Sequence, residues 1–262
     1  MEPPLNSAAP AEGRAIQERF ALKAIPILIA IALGVGILVL SSVTVEIVKL
    51  FAKLPERPQM PWIAEFYEHF AMLAYTLLAI RFMRQRYPGD YGLVAPAGRS
   101  YIGIAIGWGL FFGAAMMLVD YGPQLLSHKP PADQPYPLTA INIAGWFSYQ
   151  GLVAGPSEEV LLRGLLVTYL ILSMPGRVSW RGYTMNGAGI VVAVLVAAPH
   201  LGAFFTQAFL SALGRVLYTF AFGVLSAYWL EKSRSLAASV VFHSVGALSE
   251  YALIFAVVAA WG

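Results

Sequence analysis

One stretch of this chain carries more charge than its neighbourhood can tolerate. Gly155-Pro156-Ser157-Glu158-Glu159-Val160-Leu161-Leu162-Arg163-Gly164 sets three ionised side chains into an otherwise apolar run. On insertion scales each charge at the centre of a membrane helix costs about 2.5–3.5 kcal/mol. Three of them facing lipid would cost on the order of 8–10 kcal/mol, so they must face protein or a watery cavity. Glu159 and Arg163 stand four apart, on one helical face, and can pair. Glu158 is rotated from Glu159 by about 100° and has no local cation. A carboxylate in a low-dielectric site is suited to general base work. The plainer alternative for the group is a structural ion pair or an interfacial anchor.

Imidazoles are the natural complement to such a base. The chain has four His. His200 follows Pro199 in one apolar run and His243 lies in another. Neutral imidazoles can ligate a metal, or hold a water and polarise a carbonyl oxygen. A lone buried His is more often a packing residue, but two of them beside paired carboxylates point to a site. His69, with Glu65 and Glu68, reads as an interfacial cluster, and His128 as a solvated loop residue. Glu250, seven residues after His243, falls on the same helical face; it reads as a second polar group in the cavity or, slightly favoured, as a rim residue near the far interface. Glu46 reads as the end of a span.

The elements that must position these groups are spanning helices. Of 262 residues, 58% are hydrophobic and only 12% charged, against about 25% charged in soluble domains. Mean hydropathy is +0.67. A span needs roughly 20 apolar residues, and the apolar runs do not alternate, so an all-α polytopic bundle of about seven or eight helices is expected. Residues 1–20 read as a flexible tail without a cleavable signal, and 21–262 as a single transmembrane domain. The spans run from about Ile25 to Val45, Trp62 to Met83, Tyr101 to Val119, Gly187 to Phe205, Leu210 to Leu230 and Leu236 to Trp261. Asp120–Pro137 reads as a proline-rich loop and Met174–Asn186 as another. Between Leu138 and Leu172, Gly151, Gly155 and Pro156 read as a break between a short helix and a longer one.

The net charge of +3 is the positive-inside bias of a membrane protein, not a nucleic-acid surface. With an N-terminus in the cytoplasm, most loop Lys and Arg fall on the inner side, which gives a multi-pass protein of the cell membrane. With no Cys, thiol nucleophiles, disulfides and Cys-type zinc sites are excluded. The His-Glu-x-x-His and Gly-x-Ser-x-Gly motifs and phosphate-binding glycine loops are also missing.

Glu-Glu-x-x-x-Arg in one span, followed by one His in each of two later spans, resembles the CAAX protease and bacteriocin-processing family of intramembrane proteases. The likeness covers about Gly155 to Leu248, within a family-like core of about 138–262. It implies an endopeptidase acting on a membrane-associated peptide or protein, with the lipid bilayer as its other partner. Glu158 would activate the water, Glu159 and Arg163 would shape the site, and His200 and His243 would be the histidines of the second and third motifs. The family has been treated both as zinc-type and as metal-independent; the zinc candidates here are Glu158, His200 and His243. Two positions depart from the pattern. Val196 stands four before His200 where the family usually has Phe, and Ala247 stands four after His243 where it often has Asn. A lost oxyanion donor elsewhere has cost about 2.7–4 kcal/mol, and Ser244 is a nearby substitute. The rival readings are a non-catalytic scaffold or immunity factor, and a proton-coupled transporter; no inverted repeat supports the transporter.

Overall fold

A computed structural model of the chain describes residues 20–52, 60–127 and 137–261. The tail up to residue 19, much of the connection after Ala52, and His128 lie outside the described residues.

Among the described residues the chain is a helical membrane bundle. Helices α1 (Ala24–Ala52), α2 (Pro61–Arg86) and α3 (Ile102–Leu126) come first. Next, α4 (Ala140–Tyr149), a π-helical stretch (Gln150–Ala154), α5 (Gly155–Glu159), a second π-helical stretch (Val160–Val167) and α6 (Thr168–Ser173) follow without a gap. A hairpin of β1 (Arg177–Trp180) and β2 (Tyr183–Asn186) leads to α7 (Gly187–Ala197), which tightens into a 3₁₀ stretch (Ala198–Phe205). Helices α8 (Phe209–Ser233) and α9 (Ala237–Trp261) complete the chain. Among the described residues, six helices are long and apolar enough to cross a membrane: Ala24–Phe51, Pro61–Arg86, Ile102–Leu126, Gly187–Phe205, Phe209–Ser233 and Ala237–Trp261.

The run from Ala140 to Ser173 corrects the break expected at Pro156. Proline lacks an N–H and crowds the carbonyl four residues back, yet the helix passes through it. The π-helical turn just before it widens the ladder, as π-bulges do. The Ser157 hydroxyl donates to the carbonyls of Val153 (2.7 Å) and Ala154 (3.0 Å), supplying a donor where the ladder is disturbed. Other expectations shift too. α3 continues through Asp120 to Leu126, so the first part of the expected loop is helical, and residues 128–136 lie outside the described residues. α1 runs to Ala52, so Glu46 is inside the helix, where it pairs with Lys49. The segment after Met174 holds the hairpin, whose strands pair from Arg177↔Asn186 to Trp180↔Tyr183. Its turn residues Arg181 and Gly182 both have positive φ (47° and 85°), as a two-residue hairpin turn requires.

Without water, polar side chains inside the bundle must find partners in the protein. The hydroxyls of Ser41, Thr76 and Ser233 fold back onto the carbonyls of Ile37, Met72 and Trp229, each at 2.7 Å. Between α1 and α2, Ser42 donates to Glu68 (2.6 Å), and the hydroxyls of Thr44 and Tyr75 meet at 2.8 Å.

Close helix packing rests on small residues. A Cβ at Gly113 on α3 would collide with the Ser249 hydroxyl and the Gly246 carbonyl of α9. One at Gly109 would come within 3.0 Å of the Phe242 carbonyl. Backbone oxygens cannot swing aside, so Gly113→Val is expected to destabilise the protein by about 1–3 kcal/mol. Thermal unfolding in detergent measures this; an unchanged midpoint would show that α3 and α9 do not pack this way.

One end of the bundle is basic. The α1 start, the loop after α2, the hairpin and the α8–α9 turn meet there. Lys23 Nζ donates to the Ser173 carbonyl (3.3 Å), Leu236 N to Gly92 O (2.9 Å) and Ala97 N to Ser233 O (3.1 Å). Arg177 pairs with Glu231, which also accepts from Asn186 N at 2.6 Å. This end carries Lys23, Arg84, Arg86, Arg99, Arg177, Arg181, Lys232 and Arg234.

Candidate active site

The charged segment lies against α9 because Gly155 lets it. A Cβ there would collide with the Ser244 hydroxyl and come within 3.3 Å of the Val240 carbonyl. That close approach brings Glu158 and Glu159 to the level of His243. It also fixes Ser244: its buried hydroxyl packs on Gly155 and is not part of the cavity wall. The suggested substitute oxyanion donor is therefore turned away.

The adjacent carboxylates have different surroundings. Glu159 is fully buried, while the Glu158 side chain keeps 37% of its surface open. Glu159 Oε1 accepts from Arg163 Nη1 at 3.0 Å and from His243 Nδ1 at 3.1 Å. The guanidinium of Arg163 also lies over the Phe222 ring, 5.6 Å from its centre. Because Glu159 accepts, the hydrogen-bond pattern puts a proton on His243 Nδ1. Nε2 is then left toward Glu158, 3.9 Å from Oε2. That is too long for a hydrogen bond.

Glu158 Oε1 meets a residue whose sequence context predicts a different place. His69, expected at the interface, puts Nε2 at 3.2 Å from it. The His69 side chain is only 12% exposed, and the Tyr149 hydroxyl lies within 3.1–3.2 Å of both ring nitrogens. The signal available was polarity itself, since a charged cluster in a spanning helix tends to face the interior. Which helix it faces is not written locally.

Two cavities meet at Glu158. A polar one of about 410 Å³ is lined by Glu158, Arg163, His200, His243, Gln150 and Tyr218, among others. Asp120 and Arg215 form an ion pair across it, from α3 to α8. Glu250, Ala247 and Val196 line it as well. An apolar cavity of about 660 Å³ opens between α1, α2, the second π-helical stretch and α7, lined by Ile31, Val35, Leu38, Leu161 and Val192. Glu158 and His200 line both cavities. Pro199 stands at the start of the 3₁₀ stretch that carries His200, where its missing N–H is tolerated. His200 makes no hydrogen bond among the described residues.

A zinc ion would need Glu158, His200 and His243 to converge. Among the described residues no three His, Asp or Glu side chains form a metal-holding group. Glu158, His200 and His243 do not converge on one point in this structure, although His243 Nε2 is unbonded among the described residues, with its Nδ1 held by Glu159.

Residues 140–248 match the family model described as Rce1-like, type II CAAX prenyl endopeptidase Rce1-like. The match contains Glu158, Glu159, Arg163, His200 and His243; His69 lies outside it. No curated protein matches the chain, and no solved structure does.

Proposed function

We propose that this chain, Rce1-like across residues 140–248, is an intramembrane endopeptidase in which Glu158 activates water. The observation that carries this reading is the placement of Glu158, with His200, at the junction of an apolar and a polar cavity. A lipid-modified or apolar segment of a substrate fits the apolar side. Its peptide backbone and the attacking water fit the polar side. Prenylated C-terminal peptides are the substrate class that the family description suggests.

The chemistry follows from the hydrogen bonds. Glu158 Oε2 takes a proton from water as the oxygen attacks the scissile carbonyl carbon, and the C–O bond forms. His243, held at Nδ1 by Glu159, can carry a second proton on Nε2 and present it to the oxyanion, and His200 faces the same space. Collapse of the tetrahedral intermediate breaks the C–N bond, and Glu158 returns its proton to the leaving amine. Glu159 and Arg163 orient His243. By the positive-inside rule, the basic end of the bundle lies in the cytoplasm.

The test is hydrolysis by purified protein in liposomes. A quenched peptide ending in a prenyl-cysteine and three further residues is compared with an unprenylated membrane-spanning peptide. In oxygen-18 water the expected result is cleavage of the prenylated peptide, with one labelled oxygen in the new carboxylate and the same rate in the presence of a chelator. Cleavage of neither peptide by folded protein would overturn the reading in favour of a non-catalytic scaffold, for which Ala247 on the cavity wall speaks. Proton uptake into the vesicles without cleavage would favour a transporter.

A further inference from the structure

We propose that His69, on α2 and outside the stretch matched to the family, is a positioning residue that holds the Glu158 carboxylate in its working orientation. The inference rests on the reading of Glu158 as the base. Three contacts carry it. His69 Nδ1 is 3.1 Å from the Glu65 carbonyl of its own helix. A carbonyl and a carboxylate only accept, so with both contacts made the ring carries a proton on each nitrogen, as an imidazolium, and cannot rotate freely. Nε2 is 3.2 Å from Glu158 Oε1. The Tyr149 hydroxyl closes on the ring from α4, with the two ring planes 80° apart and their centres at 5.0 Å. Tyr149 is itself 5% exposed, so the clamp is set in packed protein.

The consequence is geometric. A glutamate at a cavity junction has three side-chain torsions, and its carboxylate can present either oxygen to either cavity. The contact from His69 occupies Oε1. Oε2 is left toward His243 and the polar cavity, where the attacking water has to be. A base must lie within about 2.6–3.2 Å of the atom whose proton it takes, and a misplacement of about 1 Å can cost 10²-fold. Arg163 is not available for this task, because it is committed to Glu159. Nor does α9 offer a fixed partner to Glu158: His243 is bonded to Glu159 and 3.9 Å away.

The experiment compares wild type, His69→Leu, His69→Gln and Glu158→Gln on the quenched prenyl-cysteine peptide in liposomes, with thermal unfolding of each protein. His69→Leu keeps bulk and loses the hydrogen bond; it is expected to lower kcat about 100-fold with KM within about twofold. His69→Gln keeps an N–H donor at similar reach and is expected to recover kcat to within about tenfold of wild type. If His69→Leu fails to fold, the glutamine variant still decides: folded protein with kcat as low as that of Glu158→Gln overturns the proposal. Wild-type kcat in His69→Leu also overturns it, as does a rise in KM with kcat unchanged. Wild-type cleavage by Glu158→Gln would instead remove the reading of Glu158 beneath it.

Discussion

Glu158→Gln is expected to lower kcat by at least about 10³-fold, within the range contributed by general acid–base groups, while the protein folds as before. The amide is nearly isosteric with the carboxylate, so the cavity keeps its shape. It offers both a donor and an acceptor, so it can still meet His69 Nε2 and stay in place. An amide takes no proton from water at neutral pH, however, and it has none to return to a leaving amine. The side chain is 37% open toward the cavities, so a buried charge is not stranded by the change, and only a small shift in unfolding temperature is expected. Single-turnover cleavage of the quenched peptide measures the chemical step without product release. The chain has no Cys, so no thiol can take over as nucleophile. Cleavage at the wild-type rate would mean that Glu158 is a structural carboxylate at a cavity wall.

Much of this arrangement was legible in the residues because it is local. Four-residue spacing puts Arg163 over Glu159, and a 100° step sends Glu158 elsewhere; both hold in the folded chain. Charge in an apolar run required a cavity, and there are two. The histidine on α9 was also readable, since an imidazole in a span needs a polar partner. Contacts between distant helices were not readable. His69 is 89 residues from Glu158, and no periodicity in α2 says which neighbour its polar face meets. Pro156 misled for a different reason. The rule that proline ends a helix assumes α-helical registry, and the π-helical turns on either side of α5 relax that registry. The same turns decide which residues of this segment face inward. The run of prolines from Pro123 to Pro137 predicts a loop from Asp120, yet α3 continues to Leu126 and Asp120 meets Arg215 on the cavity wall.

Arg163→Leu is expected to destabilise the protein by about 3–5 kcal/mol, the usual result of stranding one member of a buried ion pair. Arg163 is 2% exposed and Glu159 is fully buried. Without the guanidinium, a buried carboxylate keeps only the Nδ1–H of His243. The pair itself is not fully served: Glu159 Oε2 and Arg163 Nε are buried with no partner among the described residues. Replacing both residues therefore removes two incompletely compensated charges. The double variant Glu159→Leu/Arg163→Leu is expected to regain most of the stability lost in the single one, since apolar replacements of buried pairs are often neutral or stabilising. Activity is expected to behave differently. In the double variant His243 has no carboxylate on Nδ1, so nothing fixes its tautomer or helps it carry a second proton, and kcat stays low. Thermal unfolding in detergent gives the first quantity and cleavage of the quenched peptide the second. Recovery of stability with no recovery of kcat separates the two roles of the pair. A double variant that regains both would show that Glu159 contributes nothing to His243 beyond packing, and a double variant less stable than Arg163→Leu would show that the ion pair is worth more than the leucines that replace it.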